Sequence, residues 1–251
     1  MSANQVTRSA VRDVELARRY RADGYVKVPV LFGRARIDQI ARRIDIASAR
    51  AAETMRPGDY VLEPDGAVRN LWRLEAYDEF FNELGNDPDV VAIVERLLGA
   101  PASLMAVETF NKPARQGTAV PPHQDNAYFC QEPPDVLTVW VAIDATTELN
   151  GPVRYVRESS EVLLPHKGSG IPGNSMLLVD PPRYDNDRVQ VGLLEPGDAM
   201  VHHCQTIHWS EPNRTGSPRC GMLLVYRARH TATAPELRAA YERAAAEYAG
   251  S

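Results

Sequence analysis

The sequence predicts a mainly β chain with flanking helices, and a change of pattern near Pro101 carries that prediction. Before it, apolar residues recur at helical steps. From Pro101 to Ala228, short β-rich runs alternate with Pro and Gly, as in a sandwich or jelly roll. The 251 residues, 44% hydrophobic and 24% charged, suffice to bury a core without disulfides.

Val14, Leu16, Ala17 and Tyr20 form an apolar stripe that Gly24 stops, and Tyr25 to Val30 reads as a strand. Ile37, Ile40, Ala41, Ile44 and Ala47 place an amphipathic helix over Arg34 to Met55. Asp87 and Pro88 form an N-cap and first position for a helix carrying Val90, Ile93, Val94 and Leu97, which Gly99 ends. Strands are expected over Leu104–Asn111, Leu137–Ile143, Val153–Val156, Met176–Val179, Arg188–Leu193, Ala199–Cys204 and Gly221–Tyr226. Thr233 and Glu236 have capping-box spacing for a last helix. No linker divides the chain, so one domain is expected over 1–251: a helical N-terminal region over 1–100, a β core over 101–230 and a helix over 233–249.

The net charge of -5 argues against nucleic acid, which needs a basic footprint. Cys130, Cys204 and Cys220 form no CxxC pair, and an odd, small count fits a reducing compartment. Residues 1–10 lack a signal-peptide core, and no apolar run is long enough to span a bilayer, so a cytoplasmic protein is expected. Walker, dinucleotide-fingerprint, nucleophile-elbow and zinc-finger patterns are all missing from the sequence.

Two stretches hold most of the histidines: Pro122-His123-Gln124-Asp125-Asn126 and His202-His203-Cys204-Gln205-Thr206-Ile207-His208. On an extended chain, residues two apart project to one side, so His123 and Asp125 can present an imidazole and a carboxylate to one ion. A third ligand must come from a distant strand, and His208 can supply it. Two His and one carboxylate on one face leave open positions, the arrangement of non-haem Fe(II) oxygenases. A bidentate 2-oxo acid and O₂ would fill them. The pair alone equally fits a loop histidine beside a turn-forming Asp.

The neighbourhood of the pair resembles the phytanoyl-CoA dioxygenase-like family of 2-oxoglutarate oxygenases. The resemblance rests on Asp23-Gly24-Tyr25-Val26, Asn111-Lys112-Pro113, His123-Gln124-Asp125-Asn126-Ala127-Tyr128, Thr138 to Asp144, Asn150-Gly151 and Gly197-Asp198. It rests above all on His208, Ser210, Asn213 and Arg219, since in the family a Ser and an Arg follow the distal metal His at these spacings. It implies a double-stranded β-helix (jelly roll, cupin-like) core, with Fe(II) on His123, Asp125 and His208. Arg219 and Ser210 would bind the C5 carboxylate of 2-oxoglutarate, which suits a planar guanidinium beside a hydroxyl. Where relatives carry Pro-Gly-Ser-His, this chain has Arg157-Glu158-Ser159-Ser160, so the contacts of that loop are left open.

The implied activity is Fe(II)- and 2-oxoglutarate-dependent hydroxylation of an aliphatic C–H in a small metabolite, with release of succinate and CO₂ and with ascorbate as a possible reductant. Asp125 favours hydroxylation over halogenation, because a carboxylate fills the position a halide would take. Desaturation, ring formation and epimerisation share the oxidant and stay open. So do a cupin-type enzyme without 2-oxoglutarate, which has no need of Arg219, and a catalytically silent relative. Thr138 and Trp140 share strand parity and are assigned to the 2-oxoglutarate pocket or the core. Asn126, Tyr128, Trp209, Trp72 and Arg73 are assigned to the substrate side, with ordinary packing as the alternative. His202 shares strand parity with His208 and is the alternative distal ligand; otherwise it and His203 read as packing or supporting residues, and His166 and His230 as surface. Cys204 and Cys220 read as small buried hydrophobes, and Cys130 as structural or pocket-lining.

Overall fold

The computed structural model describes residues 14–115 and 117–249. Helix α1, residues 14–23, ends where Gly24 turns to φ +83° and its N–H donates to the Tyr20 carbonyl. A side chain is strained in that left-handed conformation, and a Cβ there would lie 2.7 Å from the Thr206 hydroxyl. Strand β1 (Tyr25–Val28) leads to α2 (Arg34–Thr54), which buries Ile37, Ile40 and Ile44. Burying each such side chain is worth about 1.5–3 kcal/mol against the unfolded chain. Strands β2 (Tyr60–Leu62) and β3 (Val68–Leu71) follow, then helices α3 (Glu79–Gly85) and α4 (Pro88–Leu98). The Asp87 carboxylate accepts the Asp89 N–H at the start of α4, and Gly99 closes the helix at φ 71°.

The β region contains β4 (Ala102–Lys112), β5 (Val120–His123), the one-turn α5 (Asn126–Phe129), β6 (Gln131–Glu132), β7 (Val136–Ala142) and β8 (Val153–Val156). It continues with β9 (His166–Ile171), β10 (Asn174–Leu178), β11 (Val189–Val191), β12 (Ala199–His203), β13 (His208–Ser210), β14 (Arg219–Ala228) and β15 (Ala232–Thr233), before α6 (Pro235–Ala249).

One antiparallel sheet runs β1-β12-β7-β14-β4-β3-β2, and a second runs β11-β8-β13-β5. Every residue of β7 is buried, because both faces of its sheet are covered. Val139 and Val141 enter a core shared with Ile37, Ile40, Val94 and Leu97 of the helices. Trp140 and Ala142 point the other way and pack with Tyr155 of β8, between the two sheets. The helices therefore cover one face of the large sheet, and the small sheet covers the other, giving a mainly β jelly roll with flanking helices.

Several elements escaped the sequence reading. β2 and β3 are too short for a period to show, as is the seven-residue α3. β9, His-Lys-Gly-Ser-Gly-Ile, has no apolar alternation. The strand expected from Arg188 starts at Val189, because 186–188 form a 3₁₀ turn. The capping box at Thr233 does not form: α6 starts at Pro235, while Thr233 pairs with Gln131 in the β15–β6 ladder.

Candidate metal centre

Two strands of the small sheet bring the histidines together. His208 opens β13 directly opposite His123, the last residue of β5, and their ring centroids are 4.2 Å apart. Each imidazole is oriented by the backbone two residues before it. His123 Nδ1–H donates to the Pro121 carbonyl and His208 Nδ1–H to the Thr206 carbonyl, both at 2.9 Å. These bonds place the proton on Nδ1 and leave each Nε2 lone pair for a metal. Burial and the neighbouring His123 push His208 down to about 3, so its imidazole is neutral at physiological pH.

Asp125 reaches the same point by a different route from the one strand parity suggests. β5 has ended, and Asp125 has helical dihedrals, φ -60° and ψ -32°, at the start of α5. Its Oδ1 lies 3.5 Å from His123 Nε2 and 3.4 Å from His208 Nε2. The three ligand atoms lie within 4.8 Å of one another, and all three residues are buried.

The carboxylate is held from several elements. Oδ1 accepts the Tyr128 hydroxyl at 2.5 Å. Oδ2 accepts the Thr138 hydroxyl at 3.3 Å and His202 Nε2–H at 3.2 Å. Burial disfavours its ionisation, but the surrounding imidazoles of His208, His123 and His202 outweigh that and hold the carboxyl well below the usual range. Buried imidazoles with free Nε2 atoms around an ionised carboxylate are a donor set that fits Fe(II).

The centre opens into a cavity of about 470 Å³. Ser210, Arg219, Trp140, Tyr128, Trp209 and Trp72 line it, each a residue singled out by the sequence. Arg219 is 1% exposed. Its Nη2–H donates to the Gly151 carbonyl at 2.8 Å and its Nη1–H to the Phe110 carbonyl at 3.4 Å, while its buried Nε–H has no partner. Its guanidinium lies 5.1 Å above the Trp140 ring. Burial lowers its pKa to about 10, so it is charged at neutral pH. A buried, partly unsatisfied guanidinium at a cavity wall fits a carboxylate ligand, since leaving such a donor unpaired costs roughly 1–3 kcal/mol.

Gly221 makes room for Trp140: a Cβ there would lie 2.0 Å from the indole Cζ2. Gly221→Ala is therefore expected to cost roughly 1–3 kcal/mol, about 2–4 °C of Tm per kcal/mol, and to weaken ligand binding beside Arg219. Thermal melts and a 2-oxoglutarate titration check this.

Other residues stand away from their expected positions. Thr138 bonds Asp125 instead of lining the cavity, because β7 aims it at the carboxylate. Asn126 is buried and exchanges hydrogen bonds with the Gln131 backbone, so it ties α5 to β6. Arg73 is exposed, in a left-handed turn at φ 57°. Asn213 donates to the Lys112 and Ser217 carbonyls and shapes the loop before β14. His166 is half-buried, not superficial, and its Nε2 accepts the Gln124 N–H at 3.0 Å. His230 is exposed, yet it does have a carboxylate partner, Asp135, at 2.7 Å. His203 is half-buried at the end of β12. Cys130 and Cys204 are buried and line no part of the cavity, and Cys220 is half-buried.

Lys112, opposite Arg219 in the sheet, is fully buried and donates to the Thr118 and Glu211 carbonyls. Burial, then Arg219 and Arg69, lower its pKa from 10.5 to about 6. Between those values the unfolded chain binds the extra proton, so folded-state stability rises with pH. Lys112→Met is expected to flatten that rise, as denaturant titrations at a series of pH values will read.

Glu108, Phe110 and Phe129 also line the cavity, a place not expected for them from the sequence. A charged residue inside the apolar run Leu104–Asn111 was the available signal for Glu108.

Comparison with known proteins follows the same lines. The family model described as Phytanoyl-CoA dioxygenase (PhyH) matches residues 20–221. The L-proline trans-4-hydroxylase of Streptomyces griseoviridis is 26% identical over 229 residues, covering 83% of this chain and 84% of that protein. A probable phytanoyl-CoA dioxygenase of Caenorhabditis elegans is 36% identical over 140 residues, 51% of this chain and 44% of that protein. Among solved structures, the epimerase SnoN in complex with Fe3+, alpha ketoglutarate and nogalamycin RO superposes with TM-score 0.70 at 23% identity, covering 90% of this chain and 87% of that one. At that identity the likeness shows the fold. Among the described residues no helix is long and apolar enough to cross a membrane.

Proposed function

This chain belongs to the phytanoyl-CoA dioxygenase family, and from that premise we propose that it hydroxylates an aliphatic C–H of a small metabolite as an Fe(II)- and 2-oxoglutarate-dependent dioxygenase. The observation that carries the reading is the meeting of His123, Asp125 and His208 beside a buried guanidinium with an unsatisfied N–H. His123, Asp125 and His208 would hold the ferrous ion, and Arg219 with Ser210 the far carboxylate of 2-oxoglutarate. When bound, iron and 2-oxoglutarate supply oxidation by O₂, with succinate and CO₂ as co-products.

The chain's own residues orient and shield. The Pro121 and Thr206 carbonyls keep both imidazoles in the ligating tautomer. Tyr128, Thr138 and His202 fix the Asp125 carboxylate in rotation, and His202 helps to keep it ionised. Trp140 supports the guanidinium face, and the aromatic walls exclude water from the reacting C–H. The L-proline hydroxylase among the relatives makes a small substrate reasonable for a cavity of about 470 Å³.

Purified protein given Fe(II), ascorbate and 2-oxoglutarate is expected to release succinate slowly, and faster when a substrate is present. Omitting Fe(II) stops the release. Failure to bind 2-oxoglutarate in the presence of Fe(II) would refute the assignment.

A further inference from the structure

The cavity contains an ionisable carboxyl group that the proposed chemistry leaves unused. Glu108 lies on β4, where Val107 enters the helix-side core and the Thr109 hydroxyl accepts the Leu71 N–H. Alternation therefore turns Glu108 and Phe110 to the opposite face, into the cavity. Glu108 sits opposite Leu223, which pairs in turn with Trp140. Among the described residues its carboxylate has neither a hydrogen-bond donor nor a basic partner. Its charged neighbours, Asp125 and Glu75, are both acidic, and with burial they raise it from 4.5 to about 8.

The rest of the site balances without it. The charge of a ferrous ion and Arg219 is cancelled by Asp125 and the two carboxylates of 2-oxoglutarate. Glu108 alone is left over, in a half-buried position where an uncompensated carboxylate is costly. The cavity that Glu108 lines has aromatic walls: Trp72, Trp140, Trp209, Phe110, Phe129 and Tyr241. Aromatic faces attract cations, and a carboxylate among them supplies the counter-charge.

We propose that Glu108 is the specificity residue of the substrate pocket and that the substrate carries an ammonium group, which ion-pairs with this carboxylate while aromatic faces cover its carbon frame. The proposal rests on reading the cavity as the substrate pocket of the oxygenase. An anionic or acyl-phosphate-bearing substrate is disfavoured, because its charge would meet Glu108 once Arg219 is taken up by 2-oxoglutarate.

The chain's three tryptophans all line this cavity, so intrinsic fluorescence reports its occupancy. Two titrations separate the underlying reading from the proposal. The first adds 2-oxoglutarate to the Fe(II)-loaded protein without oxygen; absence of binding there refutes the co-substrate assignment, whatever Glu108 does. The second, on the same protein saturated with 2-oxoglutarate, adds cyclohexylamine, cyclohexanol or cyclohexanecarboxylate, three probes of one shape and different charge, at a pH well above 8, where Glu108 is mostly ionised.

A charged hydrogen bond in such a site is worth about 1.5–3 kcal/mol. The amine is therefore expected to bind roughly tenfold to a hundredfold more tightly than the alcohol, and the carboxylate most weakly. In Glu108→Gln most of that preference should be lost. Less than about a tenfold preference for the amine in the wild-type protein overturns the proposal, as does tightest binding of the carboxylate or a preference undiminished in Glu108→Gln. The wild-type comparison decides the matter even if the variant folds poorly.

Discussion

Replacing Arg219 with alanine is expected to raise the 2-oxoglutarate concentration needed for half-maximal succinate release roughly thirtyfold to several-thousandfold, the equivalent of about 2–5 kcal/mol. The magnitude follows from burial. The guanidinium is 1% exposed, so no water can replace it as partner of a dicarboxylate. Iron binding should change little, because Arg219 contacts none of the three ligand residues; its partners are the Gly151 and Phe110 carbonyls and the Trp140 ring. Arg219→Lys keeps the charge but loses the planar fork, and should recover only a fraction of the affinity. An unchanged 2-oxoglutarate requirement in Arg219→Ala would remove this residue from the assigned role.

Asp125→Ala is expected to lower Fe(II) affinity by more than about a hundredfold, exceeding the usual 10–100-fold effect of residues that merely orient a ligand. Asp125 is the one carboxylate in the cluster, and its loss leaves two neutral imidazoles facing a dication. Tyr128, Thr138 and His202 would also lose the group they hold. A weaker loss, of about tenfold, is expected for Thr138→Val, which removes one hydrogen bond and little volume. Metal titration under anaerobic conditions, with 2-oxoglutarate left out, reads both variants without any need for turnover.

The positions legible in the linear chain are those whose chemistry is packed into short spacings. His123 and Asp125 lie two residues apart, and Ser210 and Arg219 follow His208 at family spacings, so each half of the site is a local word. The long helices were legible for the same reason: α2 and α4 each repeat a three-four apolar step over several turns and have recognisable ends. The backbone that carries Asp125 was not legible in this way. Asp125 meets His123 through a turn into α5, not along an extended strand.

The sequence alone thus determined the candidates for metal ligand and for basic anchor, since a donor atom's chemistry goes with its residue type. Which of the other candidates support the carboxylate and which line the cavity was decided only by folding. Tyr128, Thr138 and His202 converge on one carboxylate from separations of 3, 13 and 77 residues. Glu108 enters the cavity because β4 pairs with β14, more than a hundred positions away. Strand register decides which side chains share a face, and a one-residue slip would have turned Glu108 toward the helices and emptied the pocket of its charge.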